Sequence, residues 1–272
     1  MVKVLVLGST GMLGNAVAKH FLNLPSFKTY VTHRSGIKLT SDSLYFDATV
    51  NNLQDLPSVD YIINCIGMIK PFVDDNLSDT IYLNSLFPRK LAEYCDKTET
   101  KLIHITTDCV FSGQRGNYHE SDLHDALDKY GKSKSLGEPD NCMILRTSII
   151  GKEIHKDASL VSWAISQKGK NINGYINHFW NGVTTAQYAK CCEFIINNNL
   201  YETGTRHIFS NPVTKYDLLQ MISEALDLNL KISKFKTKQK CDRTLNTNFN
   251  LNEKLNIPPL STQIKELNNG QQ

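Results

Sequence analysis

KVLVLGSTGMLGNAVAKHFL, residues 3–22, opens on a short apolar run and passes at once into three regularly spaced glycines. Lys3 to Leu7 reads as a short apolar strand. Gly8, Gly11 and Gly14 follow at G-x-x-G-x-x-G spacing, and the residues after them have the apolar spacing of an amphipathic helix. Such glycines allow a tight turn and close backbone approach to a pyrophosphate, whose charge the helix N-terminus stabilises. They could also serve only the turn and close helix packing. The order strand, loop, helix favours a dinucleotide site lined by Gly8, Thr10, Gly11, Met12, Leu13 and Gly14.

The next segments extend that site. Thr29 to Thr32 reads as a second strand ending in His33, Arg34 and Ser35. An acidic residue roughly 20 positions after the glycines would hold the ribose 2′-hydroxyl of NAD. Here a guanidinium and a hydroxyl stand instead and suit a 2′-phosphate, so NADPH is expected, with NADH as the alternative. Leu44 to Phe46 reads as a third strand with Asp47 at its end, either near the adenine or capping the next turn. Val59 to Ile66 is a fourth, placing Cys65, Ile66 and Gly67 at the cofactor. Leu77 to Cys95 has helical spacing, and Asn84 within it is expected to bond backbone or pack.

Ile103 to Glu138 carries the chemistry. IHITTDCVFSG reads as a buried strand whose carboxyl end opens into hydroxyl, acid and thiol groups; after a polar loop comes KYGKSKSLGE. On a helix, Tyr130 and Lys134 lie one turn apart on one face. An ammonium beside a phenol favours phenolate and makes the tyrosine a better proton carrier near neutral pH. Thr107 could hold the carbonyl that receives the proton.

With 272 residues, 21% of them charged, and a net charge of +3, the chain is an ordinary α/β-sized protein, too mildly basic to suggest nucleic acid. No apolar run approaches the ~18 residues that span a bilayer, and no signal-peptide pattern precedes the first strand, so no membrane and a cytoplasmic location are expected. Cys65, Cys95, Cys109, Cys142, Cys191, Cys192 and Cys241 are odd in number and lack paired ligand spacing, so neither disulfides nor a metal site is expected.

Met143 to Thr147 is a further strand, and the alternation implies an α/β, Rossmann-like, doubly wound parallel sheet over 1–150. Residues 151–272 read as a smaller, partly interleaved substrate-binding lobe with helices at Leu160 to Gln167, Tyr188 to Ile196 and Lys215 to Leu226. NGYINHFWNGVTT reads as a loop over the cleft, offering Asn177, His178, Trp180 and Asn181 to a sugar or its nucleotide. In the basic KISKFKTKQKCDR, Arg243 could meet a diphosphate or merely face solvent. Beyond Asn246 the chain is expected to fray. Amphipathic helices on such a sheet could pair two copies into a homodimer.

Together GSTGMLG at 8–14, TTDCVFSG at 106–113, YGKSK at 130–134, RTSIIG at 146–151 and HFWNGVTT at 178–185 resemble the extended short-chain dehydrogenase/reductase superfamily, and within it the dTDP-4-dehydrorhamnose reductase family. The resemblance implies a catalytic triad of Thr107, Tyr130 and Lys134, with Lys134 also on the nicotinamide ribose and Asp108 and Cys109 at the substrate. It implies NADPH-dependent reduction of the C4 ketone of a dTDP- or UDP-linked 4-keto-6-deoxyhexose in deoxysugar biosynthesis. Rhamnose-forming members usually carry an aromatic residue where Cys109 stands and a Trp at Ile149. Cys109 with His178 is instead similar to GDP-L-fucose synthase and related epimerase/reductases, which implies an alternative: 3- and/or 5-epimerisation before reduction. A nucleotide-sugar 4-epimerase holding NAD, and a non-enzymatic dinucleotide-binding partner similar to the regulatory subunit of methionine adenosyltransferase, are further alternatives.

Overall fold

The structure is a computed structural model and describes residues 1–34, 36, 38–153 and 159–269. Its centre is a seven-stranded sheet built from β1 (Val2–Leu7), β2 (Phe27–His33), β3 (Leu44–Tyr45), β4 (Tyr61–Asn64), β5 (Lys101–Thr107), β6 (Met143–Thr147) and, after several shorter strands, β11 (Gly204–His207). The order is β11-β6-β5-β4-β1-β2-β3, and every pairing is parallel. Strand order reverses between β1 and β4, which opens a crevice at their carboxyl ends.

Helices cover both faces. Along β1, Val4 and Val6 point into one core with α1 (Met12–Leu22) and α6 (Thr185–Asn197), while Leu5 and Leu7 point into the other with α3 (Phe87–Lys97). All four are 0% exposed, which is why this strand is apolar without alternation. Each such side chain contributes roughly 1.5–3 kcal/mol by leaving water.

The expected helix over 77–95 is present with an irregularity. α2 (Leu77–Ile81) runs into a π-turn at Tyr82–Leu86 and then into α3. The extra residue in that turn re-aims Asn84, which is 0% exposed.

The later chain corrects two expectations. The segment read as an open loop over the cleft is strand: β8 (Asn171–Tyr175), β9 (His178–Trp180) and β10 (Val183–Thr184). β8 pairs with β13 (Lys231–Phe235), β10 with β7 (Ile149–Ile150), and β9 lies between β12 (Val213–Thr214) and β14 (Cys241–Asp242). Their partners are distant in sequence and the segments are short, so no period-two pattern marks them. Over 247–269 the chain is ordered rather than frayed. It forms α8 (Leu251–Leu255) and α9 (Leu260–Asn269), and Leu251, Leu255, Leu260 and Ile264 are buried. Each pair is four apart, one helical face apiece. Gln263 then ties α9 to β10 by accepting from Thr184 N at 3.0 Å. Among the described residues no helix is long and apolar enough to cross a membrane.

Candidate active site

The glycine loop is shaped as its spacing predicts. Gly8 has φ +77°, and a Cβ there would stand 3.0 Å from Ile66 Cγ1; one on Gly14 would stand 2.1 Å from Gly8 O. Helix α1 thus rests directly on the loop carbonyl. Gly11 is its N-cap and brings no side-chain acceptor, so the first-turn amides remain free for an anion. Thr32 Oγ1 accepts from Gly8 N at 3.0 Å, and Ser9 Oγ donates to Thr32 O at 2.6 Å, locking the loop to β2. These features fit a dinucleotide pyrophosphate beside Thr10, Met12 and Leu13.

Beyond the loop, His33 is 6% exposed and edge-on to Tyr45, while Arg34 is exposed at the end of β2. Ser35 lies outside the described residues. Asp47 caps the following turn, accepting from Thr49 N at 2.9 Å and Thr49 Oγ1 at 2.7 Å. Burial opposes ionisation of Asp47, but these bonds and the nearby Arg34 outweigh it and hold the carboxyl below its usual range. Cys65 donates its amide to Leu7 O and Ile66 donates to Asn64 Oδ1, fixing the end of β4 at the crevice.

The candidate reacting groups expected from the sequence come from β5 and α4 (Lys129–Leu136). Asp128 caps α4, accepting from Gly131 N at 2.8 Å. α4 lies unusually close to its neighbours: a Cβ on Gly131 would meet Cys109 O at 2.2 Å, and one on Gly137 would meet Asn84 O at 1.7 Å. Asn84 fulfils its backbone-bonding expectation and more. It accepts from Met68 N at 2.8 Å and donates to Met68 O at 3.0 Å and Ser133 Oγ at 3.1 Å, joining the β4 loop to α4.

Lys134 Nζ donates to Ile105 O at 3.1 Å. Burial pushes this ammonium down to about 8, with Glu138 and Cys65 resisting. The Tyr130 phenol goes up, driven first by burial and next by Cys109, with only the Thr107 hydroxyl among its leading influences opposing. The sequence reading expected Lys134 to draw the phenol downward; desolvation wins instead. Thr107 Oγ1 donates to Asp108 Oδ1 at 3.1 Å and accepts from Cys109 N at the same distance. Burial raises Asp108 against the pull of Arg243 and Lys215, and pushes the Cys109 thiol up to about 12.

The structure divides the expected substrate contacts. Arg243 is half-buried and reaches the site, donating from Nε to Phe111 O at 2.8 Å and from Nη2 to Ser112 O at 3.1 Å. Asn181 is 4% exposed, and its amide is engaged by Leu245 in both directions, at 2.8 and 2.9 Å. Asn177 holds the 237–239 backbone. Trp180 belongs to a hydrophobic core with Leu218 and Ile222 rather than to an open loop. His178 Nε2 lies 2.9 Å from Thr237 Oγ1.

Sequence reasoning missed Lys215, whose Nζ sits 5.1 Å from the Trp180 ring centre. A signal was present. Thr214 and Asp217 form a capping box, which puts Lys215 in a first helical turn, where the macrodipole disfavours a cation.

The RmlD substrate binding domain model matches residues 2–250. The methionine adenosyltransferase 2 subunit beta of Danio rerio is 29% identical over 245 residues, covering 83% of this chain and 74% of that one. A dTDP-4-dehydrorhamnose reductase of Aggregatibacter actinomycetemcomitans is 27% identical over 175 residues, covering 63% and 54%. Among solved structures, the dTDP-4-dehydrorhamnose reductase of Bacillus anthracis in complex with NADP superposes with a TM-score of 0.81 at 19% identity, covering 100% of both chains. Spanning nearly its whole length, the first of these matches shows that the chain belongs to the RmlD substrate-binding domain family.

Proposed function

We propose that this chain is an NADPH-dependent reductase of the C4 ketone of a nucleotide-linked 4-keto-6-deoxyhexose. The observation that carries the reading is the convergence of Thr107, Tyr130 and Lys134 at the carboxyl end of β5, beside a glycine loop shaped for pyrophosphate. NADPH, when bound, would supply the hydride. Gly8, Gly11, Met12 and Leu13 would cradle its pyrophosphate, and the exposed Arg34 would meet the 2′-phosphate. Thr107 and Tyr130 would flank the ketone oxygen. With its pKa raised, Tyr130 stays protonated near neutral pH, the state that donates a proton to a developing alkoxide. Lys134, mostly charged below about 8, would stabilise the phenolate that remains.

The epimerase/reductase alternative gains less support. A thiol pushed up to about 12 is a poor base at neutral pH, and His178 is engaged with Thr237. A second reading, a dinucleotide-binding regulatory partner, is favoured by the similarity to the Danio rerio subunit.

The test is NADPH oxidation by the purified chain on dTDP- and UDP-linked 4-keto-6-deoxyhexoses in deuterated water, with the product analysed by NMR. Turnover without deuterium at C3 or C5 is expected, and Tyr130→Phe should lower it by roughly a thousandfold while NADPH still binds. Deuterium at either carbon would establish the epimerase. Cofactor binding with no turnover on any of these sugars would shift the assignment to the regulatory partner.

A further inference from the structure

Positive charge in this protein is concentrated along one short edge. Lys231, Lys234, Lys236, Lys238 and Lys240 fall within residues 231–240, a run that contains no acidic residue. The whole chain carries 30 Lys and Arg against 27 Asp and Glu, so without these five lysines it would be net −2. All five are exposed. Among the described residues only Lys240 has a carboxylate partner, Asp242 at 3.0 Å. Lys234 lies 5.4 Å from the Tyr216 ring centre, and Lys231, Lys236 and Lys238 face solvent. A row of unpaired like charges repels itself and is stabilised when acidic groups meet it.

The strand beneath these lysines has an unused side. Among the described residues β13 pairs with β8 alone. In that parallel ladder Lys231 N donates to Lys170 O at 3.0 Å, and Phe235 O accepts from Ile176 N at 3.0 Å. Successive residues of such a strand direct their backbone groups to opposite sides. Lys231, Ser233 and Phe235 therefore turn their N–H and C=O groups toward β8, while those of Ile232 and Lys234 point outward. The ribbon is held from behind by α7 (Lys215–Ala225): a Cβ on Gly174 would stand 2.8 Å from Tyr216 Cδ2, and Ile232 packs against the core that contains Leu218 and Leu219. On the solvent face Phe235 and Tyr175 are 45% and 39% exposed, with ring centres 6.0 Å apart.

We propose that the outer edge of β13 docks an acidic, extended peptide segment of another protein, which adds to the β8–β13 ribbon as a third strand. Main-chain hydrogen bonds to Ile232 and Lys234 would supply the pairing, and the lysines would select glutamate and aspartate. Phe235 and Tyr175 would receive an apolar or aliphatic side chain of the same strand on the solvent face. A second copy of this edge is a poor occupant, because lysines along an edge strand set like charge against like, the device by which sheets resist pairing with themselves. An acidic strand meets the same lysines as partners. The edge uses none of the residues assigned above to cofactor or ketone, so it stands or falls apart from the reductase reading.

Fluorescence anisotropy of the full chain with a fluorescein-labelled peptide of alternating Glu and Thr puts this to the test; Thr is β-branched and favours a strand. The wild type should bind the peptide, with affinity falling as salt rises. Lys231→Glu, Lys236→Glu and Lys238→Glu together should weaken binding by about tenfold or more. Lys234→Pro should weaken it by about tenfold, since proline removes the outward N–H yet leaves the ladder to β8 intact. An unchanged thermal midpoint shows that the variants fold. On the wild-type chain, the same peptide with proline in place of each Thr keeps its charge but not its strand pairing, and should also bind about tenfold more weakly. Equal binding of the two peptides, wild-type affinity in a folded Lys234→Pro, or tighter binding of oligouridylate than of the Glu–Thr peptide would overturn strand addition in favour of a general polyanion surface. Failure of the wild type to bind the Glu–Thr peptide would overturn the docking site itself.

Discussion

The proposed cofactor side and the proposed substrate side of the crevice are built from different materials. On the proposed cofactor side the main chain does the shaping: Gly8 takes a left-handed conformation, Gly14 lets α1 rest on a carbonyl, and α1 begins with no side-chain cap. On the substrate side, side chains reach across long sequence separations: Asn181 to Leu245, Asn177 to Thr237, Arg243 to Phe111 and Ser112. A main-chain site depends on a few residues that must be glycine. A side-chain site can change its members one at a time, which allows one family to keep a cofactor while exchanging substrates.

The largest effect should come from breaking the main-chain side. Gly14→Ala places a methyl 2.1 Å from Gly8 O, where only backbone can yield. We expect a loss of about 3 kcal/mol in stability, read as a fall in thermal midpoint, and NADPH affinity lost with it. If NADPH binds Gly14→Ala normally, the contrast between the two sides is mistaken.

Acid probes the seam where both sides meet β11. His207 is 0% exposed; its Nε2 accepts from Arg146 Nη1 at 2.8 Å, so Nδ1 is left to donate to Asn246 O at 2.6 Å. Burial, then the Arg146 charge, pushes His207 down to about 4 from 6.5. The unfolded chain takes up this proton near pH 6.5 and the fold resists it until about 4. Its contribution is therefore complete above pH 6.5 and is lost as pH falls through that window, by about 3 kcal/mol in all. Urea titrations from pH 7 to 4 should show the decline, and His207→Gln should flatten it.

The smallest effect sharpens the comparison. Asn181→Ala leaves Leu245 N and O without partners, at a cost of about 2 kcal/mol. NADPH affinity should stay within about twofold of wild type while nucleotide-sugar affinity falls. An equal loss of both would show that the two sides are mechanically one.

The same division governs what the sequence makes legible. Strand, glycine loop and helix are contiguous, so 3–22 declares its own fold, and Met143 to Thr147 is a strand as its β-branched and apolar residues suggest. The Tyr130–Lys134 face follows from helical period alone. The π-turn does not: one extra residue in an amphipathic helix leaves the apolar pattern almost unchanged, and Asn84 acquires its partners only when β4 and α4 meet. Trp180 and Asn181 looked like recognition residues because polar and aromatic types are common in binding loops. Their burial depends on α7 (Lys215–Ala225) and on Leu245, both far along the chain. Local chemistry is readable from neighbours, whereas chemistry assembled by tertiary pairing is not.

The two notches in α4 have a mechanical consequence. Gly131 seats the helix on the Cys109 carbonyl and Gly137 seats it on the Asn84 carbonyl, one beside the phenol and the other about two turns beyond it. A rod held at both ends by missing methyl groups cannot roll. The tyrosine ring is a lever arm, so even a slight roll would swing its oxygen by about 1 Å, a misplacement that can cost on the order of a hundredfold in rate. The aim of the proton donor proposed above is therefore set by two atoms that are absent.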